Sequence, residues 1–171
     1  MSKNLVLLRD VINVYHPKFR NDKRKQAEAM EDPDHYNVER LYEESLSAVG
    51  PYDFIDAAHK DFSDTSDAKT STITLNPNQI GGNNHRGTVT GVSRITGGCK
   101  EGPLRVAIYD PHTDSLLFYF LPKPWWINNI IISRSTNAGR IEYYYHKPSR
   151  RIAKLQGFEC ASFEELALKV A

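Results

Sequence analysis

The chain has 171 residues, of which 40% are hydrophobic and 25% charged, and its formal net charge is +1. This length predicts one domain over residues 1–171 that folds without a metal or disulfide, and the two distant cysteines exclude a zinc site built from close ligand pairs. No apolar run approaches the roughly 20 residues that cross a bilayer. The apolar run near the start of the chain is too short for a signal peptide. We therefore expect a cytoplasmic protein with no membrane partner.

The charges are unevenly distributed along the chain. Residues 28–67 contain twelve acidic and two basic residues, whereas residues 76–157 contain eleven basic and four acidic residues. This segregation favours a protein that binds a phosphate backbone with a basic surface and holds a divalent cation with carboxylates. The alternative is that the charges only solvate opposite faces of the molecule.

The first fifty residues and the C-terminus have helical patterns. Residues 3–15 predict a short helix or a strand-like lead-in. The strongest pattern covers residues 38–49, with Asn37 as the N-cap and Gly50 as the stop. A small amphipathic helix follows Ser162, whose spacing to the next glutamates is that of a capping box.

Beyond Pro51 the pattern becomes that of strands. Residues 51–62 predict a strand or a short bent segment, residues 67–75 a strand and residues 76–87 a loop. Further β-rich segments are 88–96, 104–110, 115–122, 129–135 and 140–147, of which the second and third form a hairpin. The predicted fold class is therefore α+β, with early helices, a central mainly antiparallel or mixed sheet and a short C-terminal helix.

Asp67 and Lys69 stand two residues apart at the start of a predicted strand, so their side chains share one face. This pair suits a carboxylate that binds a divalent cation and a lysine that orients an attacking water. Mg²⁺ usually takes one or two protein carboxylates. We expect Asp53 to supply the second, because Asp61 and Asp64 look like the tip of a connecting loop. Alternatively, Asp67 only begins a strand after a turn, with Lys69 paired to it on a solvated face.

The stretches "ERLYEE" on the predicted helix, "PYD" after it and "SDAK" at the strand resemble the PD-(D/E)xK nuclease superfamily, which includes type II restriction enzymes and some homing endonucleases. The resemblance covers residues 37–75. It implies a restriction-endonuclease-like core over about residues 37–132 that hydrolyses phosphodiester bonds with Mg²⁺ or Mn²⁺. It also implies that Asp53 and Asp67 are metal ligands and that Lys69 is the catalytic lysine. The helical acid that it implies is Glu39 or Glu43.

Two features depart from the pattern of this superfamily. The acid before the lysine is an aspartate rather than the commoner glutamate, which the pattern permits. After the third strand, the only candidate helix is the short segment "PKPWWINN".

The basic half of the chain carries side chains that contact nucleic acid. Asn and Arg read adenine and guanine edges, and mixtures of Ser, Asn and Arg contact phosphates. We expect a basic, β-rich DNA-contact region over about residues 76–157. Its candidate residues are Asn83, Asn84, His85, Arg86, Arg94, Arg134, Arg140, Arg150 and Arg151. Each of these loops, taken alone, is more often an ordinary polar loop.

Other catalytic and metal-binding patterns are absent from the sequence. The six histidines show no HxH or HxxxH pairing, so no histidine metal site is predicted. No stretch matches GxSxG, GxxxxGK or GxGxxG, which removes the usual serine-hydrolase, P-loop and dinucleotide motifs.

Three functions fit these features. The first is a Mg²⁺- or Mn²⁺-dependent DNA endonuclease, expected to act as a homodimer because one such site cuts one strand. The second is a non-catalytic, repressor-like DNA-binding protein on a nuclease-like scaffold. The third is a β-rich protein-interaction domain whose basic loops are incidental. The complete acid–lysine set favours the endonuclease.

Overall fold

The structure, a computed structural model, describes residues 4–74, 84–94, 98–132 and 138–170. The helices in these ranges are α1 (Asn4–Tyr15), α2 (Lys23–Glu31), α3 (Val38–Val49), α4 (Lys123–Trp126) and α5 (Phe163–Leu168). The strands are β1 (Phe54–Ala57), β2 (Lys60–Phe62), β3 (Asp67–Thr72), β4 (Asn84–Arg94), β5 (Gly98–Cys99), β6 (Leu104–Asp110), β7 (Ser115–Leu121), β8 (Ile131–Ile132), β9 (Ala138–His146) and β10 (Glu159–Cys160).

The predicted helices at both ends of the chain are confirmed, and their caps explain their bounds. The side chain of Asn37 accepts a hydrogen bond from the backbone N–H of Arg40 at 3.2 Å, which opens α3. The side chain of Ser162 accepts from the N–H of Glu165 at 3.1 Å, which opens α5. No helix in the described ranges combines the length and the apolar character that crossing a bilayer requires.

The strands form two four-stranded sheets and a separate β1–β2 hairpin. The first sheet has the order β10–β7–β6–β3, in which β3 runs parallel to β6 and the other pairs are antiparallel. The second sheet, β5–β4–β9–β8, is antiparallel throughout. The α+β class is thus confirmed, as is the predicted β6–β7 hairpin.

The single central sheet that the sequence predicted is corrected to two sheets. The reason is that the backbone of β4 pairs with β9 along most of its length, whereas β3 pairs with β6. The predicted loop over residues 76–87 is also shortened, because β4 already begins at Asn84. The rest of that loop lies outside the described residues.

The first sheet is covered on both faces. On one face, Ala107 and Phe120 pack with the helices through residues such as Ile12, Leu46 and Leu166. On the other face, apolar residues of β6 and β7 meet those of β4 and β9, as alternation along a strand requires. Trp126 is completely buried in this second cluster.

Arg105 lies on β6 and is completely buried although it is charged. Its guanidinium donates to the side chains of Ser66 and Asp64 at 3.0 and 2.8 Å. It also donates to the backbone carbonyls of Leu166 and Lys169 at 2.6 and 2.8 Å. One side chain therefore ties the turn before β3 to the end of α5.

We expect Arg105→Met to lower the free energy of unfolding by about 3–5 kcal/mol, because its partners would be left buried without a donor. Urea unfolding followed by circular dichroism measures this change. The matched control is Arg24→Met, since Arg24 is exposed on α2 and pairs only with Glu28 one turn away. The control should change stability by less than about 0.5 kcal/mol. Equal effects of the two substitutions would contradict this role of Arg105.

Candidate functional site

A cavity of about 240 Å³ lies where β3 begins, between α3, β2 and the middle of β4. Its charged lining residues are Glu39, Glu43, Asp61, Asp67, Lys69 and Lys100. A larger cavity of about 450 Å³ lies between α1, β7 and the start of α5. The charged residues there are Arg9, Asp10 and Asp114, and the guanidinium of Arg9 lies within 3.5 Å of both carboxylates. The smaller cavity is therefore the one that concentrates unneutralised charge.

Asp67 is at the centre of this cavity and is only 1% exposed. Its backbone N–H donates to the carbonyl of Pro103 at 3.0 Å, which starts the parallel β3–β6 pairing. Neither carboxylate oxygen accepts a hydrogen bond of good geometry. Instead Oδ2 lies 3.5 Å from Nζ of Lys69 and Oδ1 lies 3.2 Å from Nζ of Lys100. Asp67 is thus buried and Lys69 half-buried, so the pair does not lie on a solvated face.

Lys69 shares the face of Asp67, as the spacing predicted, and the backbone of β4 approaches it closely. The β4–β9 register shifts between Val89 and Ser93, and within this bulge Gly91 has a φ of +70°. A Cβ atom at Gly91 would lie 3.2 Å from Nζ of Lys69. The glycine both adopts the left-handed conformation and leaves room for the lysine.

Lys100 is a site residue that the sequence analysis missed. Its N–H donates to the carbonyl of Val92 at 3.1 Å, and the N–H of Glu101 donates to the carbonyl of His59 at 2.9 Å. The carboxylate of Glu101 also lies 3.0 Å from Nζ of Lys60. These contacts hold the segment beside the cavity. No local pattern around Lys100 signals this position, because it depends on long-range contacts.

Asp61 corrects the expectation for the second acid. It was expected at a loop tip, but it lies in β2, is buried, and its Oδ2 accepts from the N–H of Ala68 at 2.8 Å. Asp53 is exposed before β1, where its N–H donates to Oγ of Ser63 at 2.9 Å, and it does not line the cavity. The tight turn between β2 and β3 brings Asp61, rather than Asp53, beside Asp67.

The acids on α3 differ in their depth. Glu43 is half-buried and lines the cavity, whereas Glu39, one turn earlier, is exposed at its edge. A carboxylate oxygen of Glu43 lies within 4.8 Å of one from Asp56 and one from Asp61. Of the two glutamates that the sequence left open, Glu43 is therefore the one that joins the buried acids.

The crowding of carboxylates changes their proton affinity. Burial, followed by the negative charges of Asp61, Asp56 and Asp67, raises the pKa of Glu43 to about 8. Burial and the charge of Asp67 raise the pKa of Asp61 to about 6. Near neutral pH, Glu43 thus keeps a proton that an isolated carboxylate would release. This behaviour is expected of a cavity whose acidic residues outnumber its basic ones.

The predicted DNA-contact arginines lie partly on the outer face of the second sheet. Arg86 is exposed on β4, and its guanidinium lies 5.7 Å from the ring centroid of Tyr144 on β9. Arg86 and Arg140 both contact the carboxylate of Glu142, at 3.4 and 3.0 Å. This face therefore carries two arginines that share one acid.

The remaining candidates for DNA contact fall into three groups. Arg150 and Arg151 are exposed in the turn after β9. His85 is buried and packs against another histidine, so its ring is not available to a base edge, which corrects the expectation for this residue. The backbones of Asn84 and Arg94 belong to β4, but their side chains lie outside the described part of the structure. Asn83 and Arg134 lie outside it entirely.

Comparison of the chain with models of known protein families, with curated proteins and with solved structures gives no match in any of the three. The nuclease resemblance therefore stays a prediction from the motif residues alone.

We expect the free energy of unfolding of the metal-free protein to depend on pH through Glu43. The folded state keeps this proton up to about pH 8, whereas the unfolded chain releases it near 4.5. Between these values the folded state binds more protons, so its stability falls as the pH rises. Glu43→Gln cannot ionise. As the pH rises from 5 to 9, the free energy of unfolding of this variant should increase by about 1–3 kcal/mol relative to that of wild type. This energy range allows for solvent screening of a half-buried group.

Urea unfolding in EDTA across this pH range measures the gain. Glu31→Gln is the control, because Glu31 is exposed on α2. A Glu43→Gln protein with the pH dependence of wild type would contradict the assignment.

Proposed function

We propose that this protein is a metal-dependent DNA endonuclease whose active site is the cavity at the start of β3. The observation that carries the proposal is the convergence of Glu43, Asp61 and Asp67 with Lys69 and Lys100 in one cavity. These residues come from α3, β2, β3 and the segment before β6. Carboxylates beside lysines are what phosphodiester hydrolysis requires, since a cation and ammonium groups both offset the negative charge of a phosphate.

The donor set fits Mg²⁺ or Mn²⁺. These ions prefer carboxylate oxygens, and both oxygens of Asp67 are buried and accept no hydrogen bond of good geometry from the described residues. Asp67 and Asp61 would hold the ion, with Glu43 as the helical acid that completes the set. A bound divalent cation supplies Lewis-acid polarisation of the phosphate. Asp53, which the resemblance implied as a ligand, is too exposed and too far outside the cavity lining to share this role.

The two lysines supply the remaining charge. In hydrolysis, a water oxygen bonds to phosphorus and gives up a proton, while one ester P–O bond breaks and the departing oxygen takes up a proton. Negative charge accumulates on the phosphoryl oxygens in between. Nζ of Lys69 and Nζ of Lys100 lie on either side of the Asp67 carboxylate, at 3.5 and 3.2 Å. We propose that Lys69 orients the attacking water and that Lys100 neutralises a phosphoryl oxygen.

The outer face of β4 provides a path for the DNA backbone to this cavity. Thr90 on β4 lines the cavity, and Arg86 is exposed further along the same strand. The contacts of Arg86 and Arg140 with Glu142 are solvent-accessible pairs, which contribute little to stability and exchange readily for phosphate. The exposed Tyr144, which is opposite Arg86 on β9, offers a flat surface for a sugar or base.

We expect purified protein to cut supercoiled plasmid in Mg²⁺ or Mn²⁺, and Asp67→Asn and Lys69→Met to reduce the cleavage rate by at least about 100-fold. Asp61→Asn should have a similar effect because it removes the neighbouring carboxylate. Asp53→Asn is the matched control and should retain the wild-type rate. Gel electrophoresis of plasmid over time measures the wild-type protein and the four variants.

The products distinguish the alternatives. Linear product without accumulated nicked circles supports the homodimer, in which two sites cut the two strands. DNA retention without cleavage in any protein would favour the repressor-like alternative, because that function needs no metal. Loss of activity in Asp53→Asn but not in Asp61→Asn would contradict the proposed ligand set.

We also expect Arg86→Gln to weaken DNA binding and to reduce the slope of log K against log salt by about 1, the value for one lost phosphate contact. Fluorescence anisotropy of a labelled duplex in EDTA, from low to physiological salt, measures the slope without cleavage. Arg24→Gln on α2 is the control. An unchanged slope for Arg86→Gln would remove the outer face of β4 from the DNA path.

A further inference from the structure

A second group of ionisable side chains lies at the opposite end of β6 from the acidic cavity. Asp110 ends β6, His112 lies in the turn to β7, His85 lies near the start of β4, and Tyr145 is on β9. The ring centroids of His85 and His112 are 4.4 Å apart. Along the strand, Asp110 is about 20 Å from the residue that pairs with Asp67, at roughly 3.3 Å per residue. The two groups are therefore separate sites.

Asp110 determines which nitrogen of His112 carries a proton. Its carboxylate accepts from the hydroxyls of Tyr145 and Thr113, at 2.6 and 2.9 Å, and from the N–H of His112 at 2.9 Å. Three hydrogen-bond donors thus already point at this carboxylate. An ionised carboxylate only accepts, so Nδ1 of His112, at 3.0 Å, is the donor. In the neutral ring, Nε2 then has its lone pair available.

His85 is only 7% exposed, and neither of its ring nitrogens has a hydrogen-bond partner among the described residues. Thr74 and Asp110 lie near the ring, but neither makes a hydrogen bond of good geometry with it. A buried imidazole without a partner is costly to the fold and calls for a ligand.

We propose that His85 and His112 bind one Zn²⁺ ion through their ring nitrogens, with Asp110 orienting His112 from behind. Imidazole nitrogen is a preferred ligand of zinc, and a zinc-bound histidine usually donates its other N–H to a carboxylate. The Asp110–His112 contact has this form. With two protein ligands, the other coordination positions of the ion belong to water or to a bound substrate.

The two proposed ions differ in chemistry. The acidic cavity offers oxygen donors to a hard cation, whereas the histidine pair offers nitrogen donors to a borderline one. The histidine site does not depend on the nuclease proposal, because it shares no residue with the acidic cavity.

Zinc binding is tested on the full chain without a histidine tag. Calorimetric titration with ZnCl₂ is made in the background of Asp67→Asn and Glu43→Gln, which weakens any competing binding at the carboxylates. The compared variants are His112→Ala, His85→Asn and Asp110→Asn. The control is His35→Ala, because His35 is exposed and is neither of the two proposed ligands. Thermal unfolding confirms that each variant is folded.

A second measurement on the unsubstituted protein does not depend on the folding of variants. Long-range ¹H–¹⁵N correlation spectra of the imidazoles, recorded with and without one equivalent of Zn²⁺, report which nitrogens coordinate. We expect the ¹⁵N signals of His112 Nε2 and of one His85 nitrogen to move, while the Nδ1–H of His112 remains protonated.

The proposal is supported if His112→Ala and His85→Asn weaken Zn²⁺ binding by at least about 10-fold, Asp110→Asn by about 10–100-fold, and His35→Ala not at all. It is overturned if the folded proteins all bind Zn²⁺ equally, if Zn²⁺ does not bind at 100-fold molar excess, or if the imidazole signals of His85 and His112 do not move.

Discussion

The buried guanidinium of Arg105 is the interaction on which the rest of the structure depends. It joins β6, the turn between β2 and β3, and the C-terminal end of α5. A buried charge is tolerated when it is paired and hydrogen-bonded, so the partners of Arg105 must keep their relative positions. Because Asp64 and Ser66 are in that turn, the same contacts also determine how β2 folds back on β3.

The candidate site depends on this turn. Asp61 precedes the turn and Asp67 follows it, so the geometry held by Arg105 decides that their carboxylates face one another. Burying Asp67 without hydrogen-bond donors opposes folding, and the ammonium groups of Lys69 and Lys100 offset only part of that cost. The well-packed network behind the site thus supports a cavity that is itself electrostatically unfavourable, which is the usual arrangement of a functional site on a rigid scaffold.

Local patterns in the sequence were enough for the helices and for several strands. Asn37 and Ser162 cap α3 and α5 through contacts within one turn, and the β6–β7 hairpin follows from two apolar segments around a short turn. The shared face of Asp67 and Lys69 is likewise a property of any strand. These features could be predicted because each depends on neighbours only a few residues away.

What the sequence by itself determined is therefore the α+β class, the capped helices and the acid–lysine pair. Only the tertiary structure decided that Asp61 rather than Asp53 lies beside Asp67 and that Lys100 is a second cation next to the Asp67 carboxylate. It also decided that His85 is buried against His112. Each of these depends on strand register and on the packing of segments far apart in the chain. A shift of one residue in register would reverse the face of every side chain, and no local pattern of residues encodes that choice.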